Sequence, residues 1–245
     1  MKQKTNWYSE RLGRDIDVVR WGTHGTPLLL FPTAAGDAEE SERFLMLDVL
    51  APLLEEGRIK VYSVDSVAGE VMFEKDASIE YVTKMQTQFH SFIRNEVVPA
   101  IRKDCNSDEI EIVTAGASIG AFHALAVLCR YPDVFSQAIC MSGTYDLTKF
   151  TEDQMTSDFY EASPIHFLGQ MPEGEHLEQL RKRFVLLTHG DGRWEEPKQS
   201  WNMAEELGSK GIPNRVDAWG EDFDHDWPTW RQMLPKYLAE LVPIQ

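Results

Sequence analysis

Cysteine is scarce in this chain: Cys105, Cys129 and Cys140 are scattered along 245 residues. An odd number, so widely spaced, does not make a disulfide framework, and Cys129 and Cys140 fall in apolar stretches where thiols act as small core residues. Positive charge is also short, with 24 Lys and Arg against 40 Asp and Glu for a net charge of −16. That balance argues against nucleic acid and anionic membrane surfaces as partners, and it favours neutral or cationic small substrates. No apolar run approaches the length of a membrane span. The opening residues, Met1-Lys2-Gln3-Lys4-Thr5-Asn6-Trp7, lead into polar sequence without the apolar core of a secretory signal, so a cytoplasmic protein is expected. Repeats and low-complexity tracts are absent too. What remains, 42% hydrophobic and 26% charged, fits one soluble domain over residues 1–245.

Apolar segments alternate with helical patterns along the chain. Strand-like stretches are Ile16–Trp21, Pro27–Phe31, Ile59–Asp65, Ile112–Ala115, Ala138–Met141, Phe184–Thr188 and Arg215–Ala218. Helical periodicity covers Glu40–Glu56, Ile79–Lys103, Ala121–Arg130, Gln199–Gly211 and Thr229–Leu241. Strands separated by helices imply parallel pairing through crossovers. The link between the first two strands, Gly22–Thr26, is too short for a crossover, so those two are expected to form an antiparallel hairpin at the sheet edge. The expected fold is therefore α/β, a mostly parallel doubly wound sheet with an antiparallel N-terminal hairpin. Residues 148–181 carry Pro164, Pro172 and Gly174 with little periodicity, and read either as a small lid or as an ordinary surface excursion.

Between a β-branched strand and an apolar helix stands Gly116-Ala117-Ser118-Ile119-Gly120. G-x-S-x-G at a strand-to-helix turn is the nucleophile elbow of α/β-hydrolases. The turn is so tight that a Cβ at either glycine would strike the neighbouring strand or helix. It lifts the Ser118 hydroxyl clear of the sheet and leaves the next N–H, that of Ile119, free to meet an oxyanion.

A serine hydroxyl is a weak nucleophile at neutral pH, so it needs a general base and the base needs an orienting carboxylate. In this fold the chain order is serine, acid, histidine. Of seven histidines only His225 lies after the last strand and before the final helix, where the base belongs. Its acidic setting, Asp222, Asp224 and Asp226, lacks the Gly and Glu of a calcium loop, since Trp227 and Met233 stand in those places. Asp224 and Asp226 then either favour the charged imidazole or face water. The acid should follow the Phe184–Thr188 strand. Reach favours Glu195; Asp191, in a Gly-Asp-Gly turn, and Glu196 are the alternatives. A second oxyanion donor is expected from the loop after Phe31, where Pro32 has no N–H and Thr33 or Ala34 remain. His189 could line the pocket or be structural, and His123 on the elbow helix reads as packing. Trp194, Trp227 and Trp230 could wall an acyl pocket or simply cover the loops.

The stretch from Gly116 to Leu125, followed by Arg130-Tyr131-Pro132-Asp133-Val134-Phe135 and Met141-Ser142-Gly143, resembles the putative esterase (esterase D-like) family of α/β-hydrolases. That family includes S-formylglutathione hydrolases, feruloyl esterases, enterochelin esterases and mycolyltransferases. Its histidine precedes a W-x-x-W-like stretch, matched here by His225-Asp226-Trp227-Pro228-Thr229-Trp230. Ile119 and Ala121 replace the usual Met and second Gly, and Pro32-Thr33 stands where the family has His-Gly. The resemblance implies a triad of Ser118, an acid and His225, and the Glu-Pro pairing of some members adds weight to Glu195.

These readings converge on an intracellular serine esterase, acting on a small-molecule ester with no metal or organic cofactor. An acyltransferase with the same triad, or a non-catalytic binding protein on a hydrolase fold, are the alternatives. A homo-oligomeric state stays open.

Overall fold

The structure, a computed structural model, describes residues 1–243. One eight-stranded sheet carries the fold, in the order β1-β2-β4-β3-β5-β6-β7-β8. Its strands are β1 (Lys2–Ser9), β2 (Arg14–Trp21), β3 (Thr26–Phe31), β4 (Ile59–Val64), β5 (Ile112–Ala117), β6 (Phe135–Met141), β7 (Phe184–His189) and β8 (Asn214–Ala218). From β4 onward across the sheet every pairing is parallel, as the alternation of strands and helices requires.

The antiparallel hairpin is there, but its strands are β1 and β2, paired from Lys2↔Trp21 to Ser9↔Arg14. The expected partner of β2 was β3. Instead β4 lies between them, antiparallel to β2 and parallel to β3. Two sheet spacings amount to about 10 Å, a gap that a few residues in extended form can cross. The Gly22–Gly25 link therefore hops over the end of β4, with the Thr26 N–H donating to the Arg58 carbonyl at 3.0 Å. β1 has no counterpart in the sequence reading because it is an edge strand exposed almost throughout, so no apolar alternation marks it.

The helices are α1 (Glu40–Arg43), α2 (Met46–Glu55), α3 (Val67–Val71), α4 (Ile79–Phe92), α5 (Val98–Asp104), α6 (Ile119–Arg130), α7 (Ser157–Ala162), α8 (Pro164–Phe167), α9 (Glu175–Leu180), α10 (Pro197–Ser209) and α11 (Trp227–Leu241). The helix expected over Glu40–Glu56 is broken at Leu45, whose φ of 62° no α-helix accommodates. That expected over Ile79–Lys103 continues through a π-helical turn at Ile93–Val97, just before Pro99, which has no N–H to give the preceding turn.

Two apolar layers hold the sheet. On one face Phe89, Phe92, Ile101, Leu125, Leu128 and Leu207 of α4, α5, α6 and α10 pack together. On the other Leu50 and Leu53 of α2 meet Met233, Leu234, Tyr237 and Leu238 of α11. β4 and β5 are buried along their whole length, so the C-terminal end of β5 is a rigid central platform. The 148–181 excursion holds α7, α8 and α9 and two short 3-10 turns, the first of which is Thr148–Phe150. No helix among the described residues is long and apolar enough to cross a membrane.

Candidate active site

Ser118 is the single residue between β5 and α6, with φ 57° and ψ −121°. Such a backbone state costs a non-glycine residue about 1–3 kcal/mol. The surroundings enforce it: the Ser118 N–H donates to the Met141 carbonyl at 3.0 Å, and the Thr144 N–H donates to the Ser118 carbonyl at 3.3 Å. A Cβ on Gly116 would sit 2.3 Å from the Gly120 carbonyl carbon, and one on Gly120 would sit 2.6 Å from the carbonyl oxygens of Phe31 and Pro32. The two glycines thus bring the first turn of α6 against both the end of β5 and the loop leaving β3.

In that loop the two expected donors differ in their partners. The Thr33 N–H donates to Glu40 Oε2 at 2.7 Å, and the Thr33 hydroxyl donates to Oε1 at 2.6 Å. Burial pushes the Glu40 carboxyl above its ordinary range, while the two Thr33 bonds pull the other way. Thr33 is therefore committed. The Ala34 N–H has no partner among the described residues, and Ala34 lines a cavity of about 260 Å³ together with Ser118, Ile119 and His225. Phe73 and Phe150 wall this cavity, their rings edge to face at 5.4 Å, with Lys149, Trp194 and Glu196 at its margin.

His225 is carried on a loop laced to the one after β7. The Gly192 N–H donates to the Phe223 carbonyl at 3.1 Å and the His225 N–H to the Arg193 carbonyl at 3.0 Å. Asp224 neither flanks the imidazole as a free charge nor simply faces water: its carboxylate takes Arg193 through the backbone N–H at 2.7 Å and the guanidinium Nε at 2.8 Å. The Arg193 contact holds the Asp224 carboxyl below its ordinary range. Asp226 caps α11, accepting from the Trp227 N–H at 2.7 Å. Among the described residues no group of three His, Cys, Asp or Glu side chains is placed to hold a metal ion.

Of the three acid candidates, Glu195 is the one brought to the imidazole. Its side chain is 2% exposed, with Oε2 at 3.7 Å from His225 Nδ1, a separation longer than a formed hydrogen bond. Asp191 is 40% exposed and lies 3.5 Å from His189 Nδ1 instead. Glu196 is exposed and accepts from Gln199 Nε2 at 3.3 Å. His189 is buried, with Nδ1 at 2.8 Å from the Gly190 carbonyl, so it does not line the cavity. His123 is packing, buried between Phe89 and Phe122. Trp194 reaches the cavity margin, whereas Trp227 stacks on Phe44 at 4.8 Å.

Two residues at the site carried no assigned part in the sequence reading. Ser142, whose hydroxyl donates to Glu195 Oε1 at 2.5 Å, appeared only inside a motif. Glu40 had no signal at all beyond its place at the start of a helical pattern. Together the arrangement offers a raised hydroxyl, an imidazole opening on the same cavity, a buried carboxylate behind the imidazole, and two backbone N–H groups. That set can take a proton from an attacking hydroxyl and stabilise an anionic oxygen.

The sequence model of the family described as "Putative esterase" matches residues 62–241. No curated protein matches the chain. Among solved structures, a ferulic acid esterase is similar over 100% of this chain and 99% of its own, with a TM-score of 0.77 and 16% identity. The S-formylglutathione hydrolase of Staphylococcus aureus is similar over 99% of both chains, with a TM-score of 0.72 and 13% identity. That of Agrobacterium tumefaciens is similar over 99% of this chain and 96% of its own, with a TM-score of 0.74 and 12% identity. At these identities the likeness is one of fold.

Proposed function

We propose that this chain, which belongs to the putative esterase family, is a serine carboxylic-ester hydrolase that works through an acyl-enzyme on Ser118. The Ser118 oxygen attacks the ester carbonyl carbon while His225 takes the hydroxyl proton. The carbonyl oxygen, now an anion, is received by the N–H groups of Ile119 and Ala34. As the tetrahedral intermediate collapses, the ester C–O bond breaks and His225 returns its proton to the departing alkoxide. Water then repeats the attack on the acyl-enzyme, releasing the carboxylic acid and restoring Ser118. Glu195 holds the imidazole in the tautomer that keeps Nε2 free to accept, and balances its charge once protonated.

The observation that carries this reading is the shared cavity: Ser118, Ile119, Ala34 and His225 open on it, and Glu195 lies behind the imidazole. Its modest volume, about 260 Å³, suits compact acyl groups. The three cysteines are all free, which supports an intracellular setting. A panel of nitrophenyl esters graded by acyl length tests the reading. Turnover is expected to be greatest for short acyl chains and to be absent in Ser118→Ala. Equal turnover by Ser118→Ala and wild type would overturn it.

A further inference from the structure

Behind the acid lies a second layer that the mechanism above does not use. Ser142 follows β6 with φ 46°, a left-handed conformation, although it is not glycine. It is 4% exposed and its N–H is anchored to the Thr188 carbonyl at 2.7 Å. Its hydroxyl has two partners: it accepts from Trp230 Nε1–H at 2.9 Å and donates to Glu195 Oε1 at 2.5 Å. Trp230, also 4% exposed, sits in the first turn of α11 with its ring edge to face with His225, centroids 5.2 Å apart.

The direction of these bonds is forced. An indole N–H can only donate, so it fills a lone pair on the Ser142 oxygen, and the one hydroxyl proton must point elsewhere. The acceptor it meets is Glu195 Oε1. With Oε1 engaged, Oε2 faces His225, and the carboxylate cannot rotate without abandoning a buried charge-assisted bond. The cost of a left-handed serine is borne where it brings this hydroxyl to the acid, the usual meaning of local strain beside a reacting group.

Resting on the triad reading above, we infer that Ser142 and Trp230 are positioning residues: the chain Trp230→Ser142→Glu195 fixes the carboxylate in the one orientation that serves His225. The same tryptophan packs against the imidazole, so the docking of α11 sets the acid and the base together.

The test uses the intact enzyme, p-nitrophenyl acetate, and the rate of Ser118 labelling by a fluorophosphonate. Ser142→Gly is the informative variant, because glycine adopts a φ of 46° at no steric cost, which leaves the hydroxyl as the thing removed. It also leaves the buried Trp230 N–H without an acceptor, so its melting temperature should fall by about 2–10 °C, and kcat is read at a temperature where the variant is fully folded. Misorientation of a catalytic group can cost about 10²-fold, so kcat and the labelling rate should fall by about that factor with KM changed less than about threefold. Trp230→Phe keeps a ring against His225 and loses the N–H donor with part of the buried indole volume; it should lower kcat by about tenfold alone and add almost nothing to the kcat loss in the Ser142→Gly background, as expected of two links in one chain.

A Ser142→Gly enzyme with wild-type kcat, or a Trp230→Phe penalty equal in both backgrounds, overturns the inference. Ser118→Ala measured alongside separates the two claims. If Ser118→Ala is inactive and Ser142→Gly is fully active, only the positioning role falls. If Ser118→Ala retains full turnover, the esterase reading falls and takes the positioning role with it.

Discussion

Replacing Glu195 by Gln changes one oxygen to NH₂ in a side chain that is 2% exposed, so the variant tests the carboxylate with little change of volume. The Ser142 hydroxyl can still donate to the remaining amide oxygen, which turns the new NH₂ toward His225 Nδ1. An NH₂ there needs an acceptor and drives the imidazole proton to Nε2, the position that must stay free to take the serine proton. In the serine-protease case the wrong tautomer costs about 10⁴ in kcat, or about 5 kcal/mol of barrier at 1.36 kcal/mol per factor of ten. Here the Oε2–Nδ1 separation is 3.7 Å, longer than a formed hydrogen bond, so the loss should fall between about 10² and 10⁴. Asp191→Asn is the matched control: that carboxylate is 40% exposed and faces His189, and its removal should leave kcat within about threefold of wild type. Both are read as kcat for p-nitrophenyl acetate with the melting temperature checked in parallel. A crippled Asp191→Asn beside a near-normal Glu195→Gln would refute the reasoning.

Three further outcomes follow from the geometry. Gly120→Ala drives a methyl to 2.6 Å from two backbone oxygens, those of Phe31 and Pro32; overpacking of this kind should cost about 1–3 kcal/mol in denaturant unfolding and weaken esterase activity, since β3's exit loop must yield. Glu40→Ala leaves the half-buried Thr33 N–H without an acceptor and should cost about 1–3 kcal/mol, seen as a lower denaturation midpoint. His123, held far below its ordinary value at about 3 by burial alone, binds its proton less readily folded than unfolded, so its contribution to stability is lost as pH falls below 6.5. At about pH 5 this amounts to about 2 kcal/mol at 1.36 kcal/mol per pH unit, and the acid sensitivity of the melting temperature should shrink in His123→Phe.

The strand-to-helix turn at Ser118 and the place of His225 between the last strand and the final helix were legible because each depends on local pattern or chain order. Ser118 needs two glycines and a strand-to-helix change within a few residues, and His225 needs only to follow the last strand. The rest depended on pairings between distant residues. β1 was invisible because it is exposed from Lys2 to Asn6 and only Trp7 and Ser9 at its end are covered, so its sequence has no apolar alternation to read. The insertion of β4 between β2 and β3 is a long-range event that a short loop permits but does not announce. Thr33 and Ala34 are neighbours that local sequence does not separate; it is Glu40, on the following helix, that claims the Thr33 N–H. Asp224 looked like a free charge beside His225 until Arg193 from the neighbouring loop neutralised it. Glu195, Asp191 and Glu196 share one short loop, and which of them turns inward is decided by the lacing of that loop to residues 220–225.

The central claim is that Ser118 is the nucleophile of a serine hydrolase, and covalent labelling tests it most directly. Wild-type protein treated with a fluorophosphonate should gain the mass of one phosphonyl group, located by peptide mapping on Ser118, with esterase activity lost in step with labelling. Ser118→Ala should gain none. A label on another residue, or one that Ser118→Ala takes up as fast as wild type, would contradict the account.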